Sequence, residues 1–500
     1  MLNTWIDHAR ALRETLLRDP YRPLYHYVAP EGICAPFDPN GAIFWNGRYH
    51  LMTIVQTRSE EGGVRHFWAH ASSADLVHWR QHPLALAPGG VDEGIFSGGA
   101  SLDPHGTPTI TYWGLGERSG ICLATSTDPD LDTWEKSPAN PIIHQTSSGL
   151  RVDEEGRVMG AADPSAIWVH EGRAFLLTGN LLVLREYGLK LDQDRHKGDT
   201  AYLFVSDDLI HWEYLHPFYT SNRAWTRDDE DCMCPDFFPL GDRHMLLFIS
   251  HNLGCQYYLG RYEDNRFYPE THGRMTWVDN AFFAPESLLD DRGRRIMWAW
   301  IFDGRDPETR DASGWSGTLS LPRVLWLGED GTLRMAPPEE LATLRTDPRS
   351  FDDLRVADGA DLPLLGVQGT SLELEIEILP GDAARVGVEV CRADGGEETT
   401  AIFYDAREQA LKVDTTRSSL GEGPKSVEAA PFVLAAGESL RLRVFVDRSV
   451  VEVFANDRQA VMRRIYPTRP DSTGVRLFSR GGDAIMGRVN AWTMAPANPW

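Results

Sequence analysis

The sequence predicts an all-β chain, a five-bladed β-propeller followed by a C-terminal β-sandwich, and three observations predict it. A strand–turn–strand unit recurs five times, its turn glycines (Gly47, Gly106, Gly172, Gly241 and Gly293) lying 59, 66, 69 and 52 residues apart. A second motif echoes within that repeat, where the outer strands of a blade belong. Beyond residue 367 the chain changes to short alternating strands without the long repeat. Repeats of roughly fifty residues or more built only of strands mark propeller blades, and short strands between turn signals mark a sandwich.

Residues 1–30 predict a helix and a lead-in. Trp5, Ala9, Leu12 and Leu16 recur at helical spacing behind a cap at Asn3 or Thr4, which predicts an amphipathic helix docked on the domain. Asp and Arg interrupt the apolar run that a secretory leader would need, so the expectation is a cytoplasmic protein. The six cysteines (Cys34, Cys122, Cys232, Cys234, Cys255 and Cys391) are too scattered for a disulfide scaffold and are expected as thiols. Cys232-Met233-Cys234 has no second Cys/His pair at zinc spacing.

Residues 31–336 carry the propeller. The first hairpin runs from Ala42 to Gln56 through Asn46-Gly47, a pair that accepts positive φ at both turn positions. Four more follow: Ala100 to Trp113, Ser165 to Thr178, Asp236 to Ser250 and Ser287 to Ile301. Ser73-Ala74-Asp75-Leu76-Val77-His78-Trp79 matches Ser206 to Trp212 closely and Ser126 to Trp134 loosely. Residues 337–366, rich in Pro, Asp and Gly, read as a linker, and 367–500 as the sandwich. There Leu372, Leu374, Ile376 and Ile378 alternate with Glu373, Glu375 and Glu377, a strand with one wet face.

Length and charge bound the function. A chain of 500 residues outgrows a single core and predicts two domains. A formal net charge of -24 speaks against nucleic acid or an anionic membrane as partner, and no run of eighteen apolar residues spans a bilayer. A neutral substrate such as a sugar fits. The 16 Trp and 15 Tyr fit it too, although most such rings in a large β protein are core.

Inner propeller strands line a central channel, so the residues at their starts converge at one mouth. Three of the five carry acids, Asp38, Asp163 and the pair Glu230-Asp231. The other two carry Phe96-Ser97-Gly98 and Phe282-Phe283-Ala284-Pro285. Acids and rings at one mouth suit a polyol and oxocarbenium chemistry. Asp before Pro is also an ordinary turn former. Three carboxylates also suit calcium, but no Asp-x-Asp-x-Asp loop surrounds them, so metal ranks below catalysis and none is expected.

These motifs, with Cys234-Pro235-Asp236-Phe237-Phe238 and the hairpin Val444 to Phe454, resemble glycoside hydrolase family 32, the invertase, inulinase and levanase family. The resemblance runs from about Pro36 to Trp492 and implies a retaining hydrolase of β-fructofuranosides with no cofactor. It implies Asp38 as nucleophile, Asp163 as transition-state stabiliser and Glu230 as general acid/base. Asn40, Gln56, Phe96, Ser97 and Asp231 are then expected around the sugar. The chain departs from the family at Phe37 (usually Asn), at Ala162 (usually Arg) and at Gly62-Gly63 (where a Trp is usual). The usual Glu-Cys-Pro is stretched to Glu230-Asp231-Cys232-Met233-Cys234-Pro235, leaving Glu230 and Asp231 as rivals; aligned without a gap, the acid's place falls to Met233. Sucrose, fructo-oligosaccharides or fructans are the expected substrates. A fructosyltransferase, an inverting five-bladed arabinanase or xylosidase, and a non-catalytic sugar-binding propeller are the alternatives. The sandwich is expected to be structural, with homo-oligomerisation open.

Overall fold

The computed structural model describes residues 2–29, 35–58, 63–116, 118–144, 150–152, 158–160, 162–179 and 198–498. Cys34, Gly62 and the side chain of Trp5 lie outside the described residues. Five antiparallel sheets of four or five strands form the N-terminal part, with a separate two-stranded hairpin, Leu150–Val152 and Val158–Gly160, between the second and third. Blade I comprises Ala35–Trp45, Arg48–Arg58, Val64–Ser73 and Trp79–Gln81. Blade II starts with Gly94–Leu102 and Pro108–Leu115, blade III with Ala162–Pro164 and Arg173–Gly179. Blade IV comprises Met233–Leu240, Arg243–Ser250, Gly254–Glu263 and Arg266–Arg274. Blade V starts with Phe282–Leu289 and Arg295–Ile301. The first strand of each sheet packs against the first strands of both neighbours, I beside V included, so the ring closes.

The repeated turns have one conformation each. All five turn glycines lie in the left-handed region, with φ from 63° at Gly241 to 81° at Gly106. Non-glycine residues are strained there, so the glycines fix where each hairpin reverses. In the outer motif Asp75 accepts the backbone N–H groups of Val77 and His78, and Asp208 those of Ile210 and His211. Leu76 and Leu209 both take φ 63°. The echo seen in sequence is therefore the turn into the outermost strand, an Asx-type turn that a carboxylate stabilises locally.

The sandwich consists of two six-stranded sheets. Here three expectations are corrected. Residues 337–366 are not a linker: Glu339–Leu344 is a 3-10 helix with Leu341 and Leu344 buried, and Arg345–Val356 and Asp361–Gln368 are strands, one in each sheet. Pro, Asp and Gly occur there because the strands are exposed and irregular, with bulges at Thr346/Arg349 and Pro363/Gln368. The alternating strand Ser371–Leu379 is wet only at its end, since Glu373 is buried between Arg345 and Arg443, 2.6 Å from each. The N-terminal helix, Leu2–Arg18, starts ahead of the expected cap and is docked only near its end, where Leu16 packs with Val28 and Trp315. Ile6, Leu12 and Leu17 are exposed.

One hydrophobic core spans both parts, joining Phe282, Leu321 and Leu325 of the propeller to Phe445, Phe454 and Met462 of the sandwich. Polar clamps reinforce it. Asp447 accepts the backbone N–H groups of Leu24, Tyr25 and His26. Glu452 pairs with Arg323 at 2.9 Å, both side chains fully buried. Arg463 binds Asp279 and Glu428 at 2.7 Å each. Buried charges persist only when paired in this way.

Candidate active site

Each inner strand breaks register with its partner near its start, between Phe37/Pro39, Ile95/Gly98, Ala162/Pro164, Met233/Asp236 and Phe283/Glu286. A bulge puts an unpaired residue there and re-aims its side chain. The bulged positions are Asp38, Phe96-Ser97, Asp163, Cys234-Pro235 and Ala284-Pro285. Asp163, Cys234 and Ala284 take φ of 36°, 47° and 44°, unusual for non-glycine residues and at one structural position in three blades. Pro235 and Pro285 fall inside their bulges, where no ladder hydrogen bond is lost to Pro, while Pro39 and Pro164 are the first residues back in register. Five such bulges around one axis build the mouth.

Asp38 is 8% exposed and Asp163 is 7% exposed. Ser97 Oγ donates to Asp38 Oδ2 at 2.7 Å, while Asp38 Oδ1 has no hydrogen-bond partner. The thiol of Cys234 lies 3.6 Å from Asp163 Oδ2. Burial raises the pKa of Asp38, opposed by Ser97 and the charge of His251. Burial, then the charge of Asp38, pushes Asp163 up to about 7. Two carboxyl groups sharing a dry site cannot both ionise freely, and their pKa values separate. The Asp38 oxygen without a partner and the neighbouring proton-holding Asp163 are what a nucleophile and a hydrogen-bonding stabiliser require.

Aromatic rings wall the site. Phe37 packs edge-on to His66 at 5.9 Å and against Trp300 at 5.8 Å, and His66 lies 4.3 Å from Phe96. Gln56 Nε2 bonds the ring of His66 at 3.0 Å. Phe283, Trp300 and Phe302 form a further cluster. The structure thus brings together Asp38, Asp163, Ser97, Phe96 and Gln56.

It differs from the sequence expectation at Glu230, Asp231 and Asn40. Glu230 is wholly buried in the loop ahead of blade IV, and its carboxylate turns outward to the third and fourth strands. It accepts two bonds from Arg274 at 2.8 and 2.9 Å, one from Gln256 Nε2 at 3.0 Å and one from Arg227 N–H at 2.8 Å. Burial raises its pKa, but Arg274, the Arg227 N–H and Gln256 together lower it, so it is a fixed anion with no proton to give. Asp231 is likewise committed, receiving the backbone N–H of His251 on Oδ1 and its Nδ1 on Oδ2, at 2.8 and 2.7 Å. Asn40 spends Oδ1 on Gly98 N–H at 3.0 Å and Nδ2 on the Asp38 carbonyl at 2.7 Å, so it ties blade I to blade II rather than facing a sugar. In blade IV the mouth position belongs to Cys234, and Met233 before it is fully buried beside Gly179. His251, to which the sequence reading gave no place, also lies beside this blade's mouth, in the turn after its second strand.

The profile of the glycosyl hydrolases family 32 N-terminal domain matches residues 26–337, and that of the glycosyl hydrolases family 32 C terminal matches 340–493. The chain belongs to glycoside hydrolase family 32. It is 28% identical to a sucrose-6-phosphate hydrolase of Zymomonas mobilis over 98% of this chain and 96% of that protein. To the fructan 6-exohydrolase of Beta vulgaris it is 26% identical over 96% and 88%. The crystal structure of fructan 1-exohydrolase IIa from Cichorium intybus superposes with a TM-score of 0.81 at 23% identity, covering 96% of this chain and 98% of that one. The protein is a glycoside hydrolase acting on β-fructofuranosidic bonds.

Proposed function

We propose that the enzyme cleaves neutral β-fructofuranosides, sucrose or fructans, with retention of configuration. Asp38 Oδ1 attacks the anomeric C2, the C2–O bond breaks, and a fructosyl ester forms; water then attacks C2 and returns the Asp38 carboxylate. Asp163 hydrogen-bonds the ring hydroxyls and tightens as positive charge develops at C2. The observation that carries this reading is the unequal treatment of the Asp38 oxygens, one held by Ser97 and the other without a partner. An uncharged substrate is favoured because, among the described residues, no Arg or Lys side chain bonds Asp38, Asp163 or Gln56. NMR of the earliest product from sucrose tests the stereochemistry: β-fructofuranose must appear before its anomers. Initial release of the α-anomer would mean inversion and remove Asp38 as nucleophile.

A further inference from the structure

With Glu230 bound to Arg274 and Met233 buried in the strand, blade IV leaves the leaving group without the carboxylic acid that its motif leads one to expect. Of the titratable side chains of blade IV near the mouth, the thiol of Cys234 is bound to Asp163, whereas among the described residues His251 keeps a ring nitrogen free. His251 opens the turn after the second strand of blade IV, on the mouth side, because that strand ends where the inner strand begins, Met233 facing Ile249. Its ring lies 5.7 Å from that of Phe283 on the inner strand of blade V. Three bonds fasten the turn, two to Asp231 and one from Asn280 Nδ2 to the His251 carbonyl at 2.7 Å. Asp231 is 1% exposed, whereas the imidazole is 35% exposed. A carboxylate on Nδ1 fixes the ring with that proton inward and turns Nε2 outward, as in other His–Asp pairs. Nε2 has no partner among the described residues.

We propose that His251, oriented by Asp231, is the general acid/base of this fructosidase. As Asp38 bonds to C2, the Nε2 proton passes to the departing glycosidic oxygen and leaves a neutral imidazole. In the second half the same nitrogen takes a proton from water as the water oxygen bonds to C2 and the ester to Asp38 breaks. His251 touches the reacting atoms, while Asp231 is a positioning residue. Asp231 touches the imidazole, and the charged groups that act on it from the other blades are Asp163 of blade III and Asp38 of blade I, all acidic. Burial would lower the pKa of His251, but the bond to Asp231 and the charges of Asp231, Asp163 and Asp38 together raise it above the ordinary imidazole value.

The inference rests on the retaining reading above, and the test separates the two. Values of kcat/KM, which report the steps up to the fructosyl ester that His251 enters as acid, are measured on sucrose and on 4-nitrophenyl β-fructofuranoside, whose leaving group needs no protonation, for the parent, Asp38→Asn, His251→Gln, Asp231→Asn and Glu230→Gln. His251→Gln is expected to lose about a hundred- to ten-thousandfold on sucrose but less than about tenfold on the aryl fructoside, with the alkaline limb of its pH profile gone. Added imidazole should restore part of the sucrose rate. Asp231→Asn should keep the limb but move it to lower pH, a shift that mere loosening of the turn does not produce; this variant decides the matter if His251→Gln fails to fold. Asp38→Asn must abolish both substrates. If it spares them, the retaining reading falls. If it abolishes them while His251→Gln keeps sucrose hydrolysis within about threefold of the parent, or Glu230→Gln alone discriminates between the substrates, His251 is not the acid.

Discussion

Ser97 shows how one donor sets the chemistry of its neighbour. Its hydroxyl is the described side-chain donor to Asp38, and a hydrogen bond to a charged group contributes about 1.5–3 kcal/mol. Ser97→Ala should lower kcat/KM about ten- to a hundredfold by that measure. It should also raise the pKa of Asp38, so the acid limb of kcat/KM against pH moves to higher pH. Asp163 gives a stability prediction of known sign. Its folded pKa, about 7, exceeds the unfolded carboxyl value of roughly 3.9. The folded state therefore holds a proton that the unfolded chain releases, and stability falls as pH rises from about 4 to 7. Asp163→Asn carries no such penalty. Its melting temperature relative to the parent should rise across that window, by at most a few degrees, and level off above it.

At the scale of elements, the bulges decide which residues meet. Gly98 closes one of them, pairing with Tyr112, where an added Cβ would come within 1.9 Å of the Thr111 carbonyl oxygen. Gly98→Ala should force blade II out of register, measured as loss of soluble protein or a melting temperature reduced by several degrees. The hairpins were legible because Asn46-Gly47 and its four counterparts announce turns whatever lies around them. Asp38 and Asp163 were legible for the same local reason, each preceding a Pro at the start of such a unit. Glu230 was expected at the mouth and lies off it, because sequence order shows which residues precede a strand but not which one occupies the bulge. Only the pairing of Met233 with Ile249 places Cys234 at the mouth and leaves Glu230 outside. The false linker has a related cause: edge strands of a sandwich tolerate the same residues that loops prefer.

Across the whole molecule the two domains behave as one body. Arg323 and Glu452 are both fully buried, and the guanidinium also lies 4.2 Å from the ring of Phe282, next to Phe283 of the active-site wall. Removing one partner leaves an uncompensated charge, so Arg323→Met should cost about 3–5 kcal/mol. Calorimetry should show a single transition moved to lower temperature, not a propeller and a sandwich melting apart. The clamp on Asp447 has a consequence in time. Leu24 N–H bonds to an oxygen of a residue 423 positions further on, and Ala497 N–H returns to the Leu24 carbonyl. At about 5–20 residues per second a ribosome needs roughly 20 to 80 s to reach that partner. Throughout that interval the strap at Leu24–His26 is already synthesised while the carboxylate that anchors it does not yet exist, so the nascent propeller waits with its first segment unfastened.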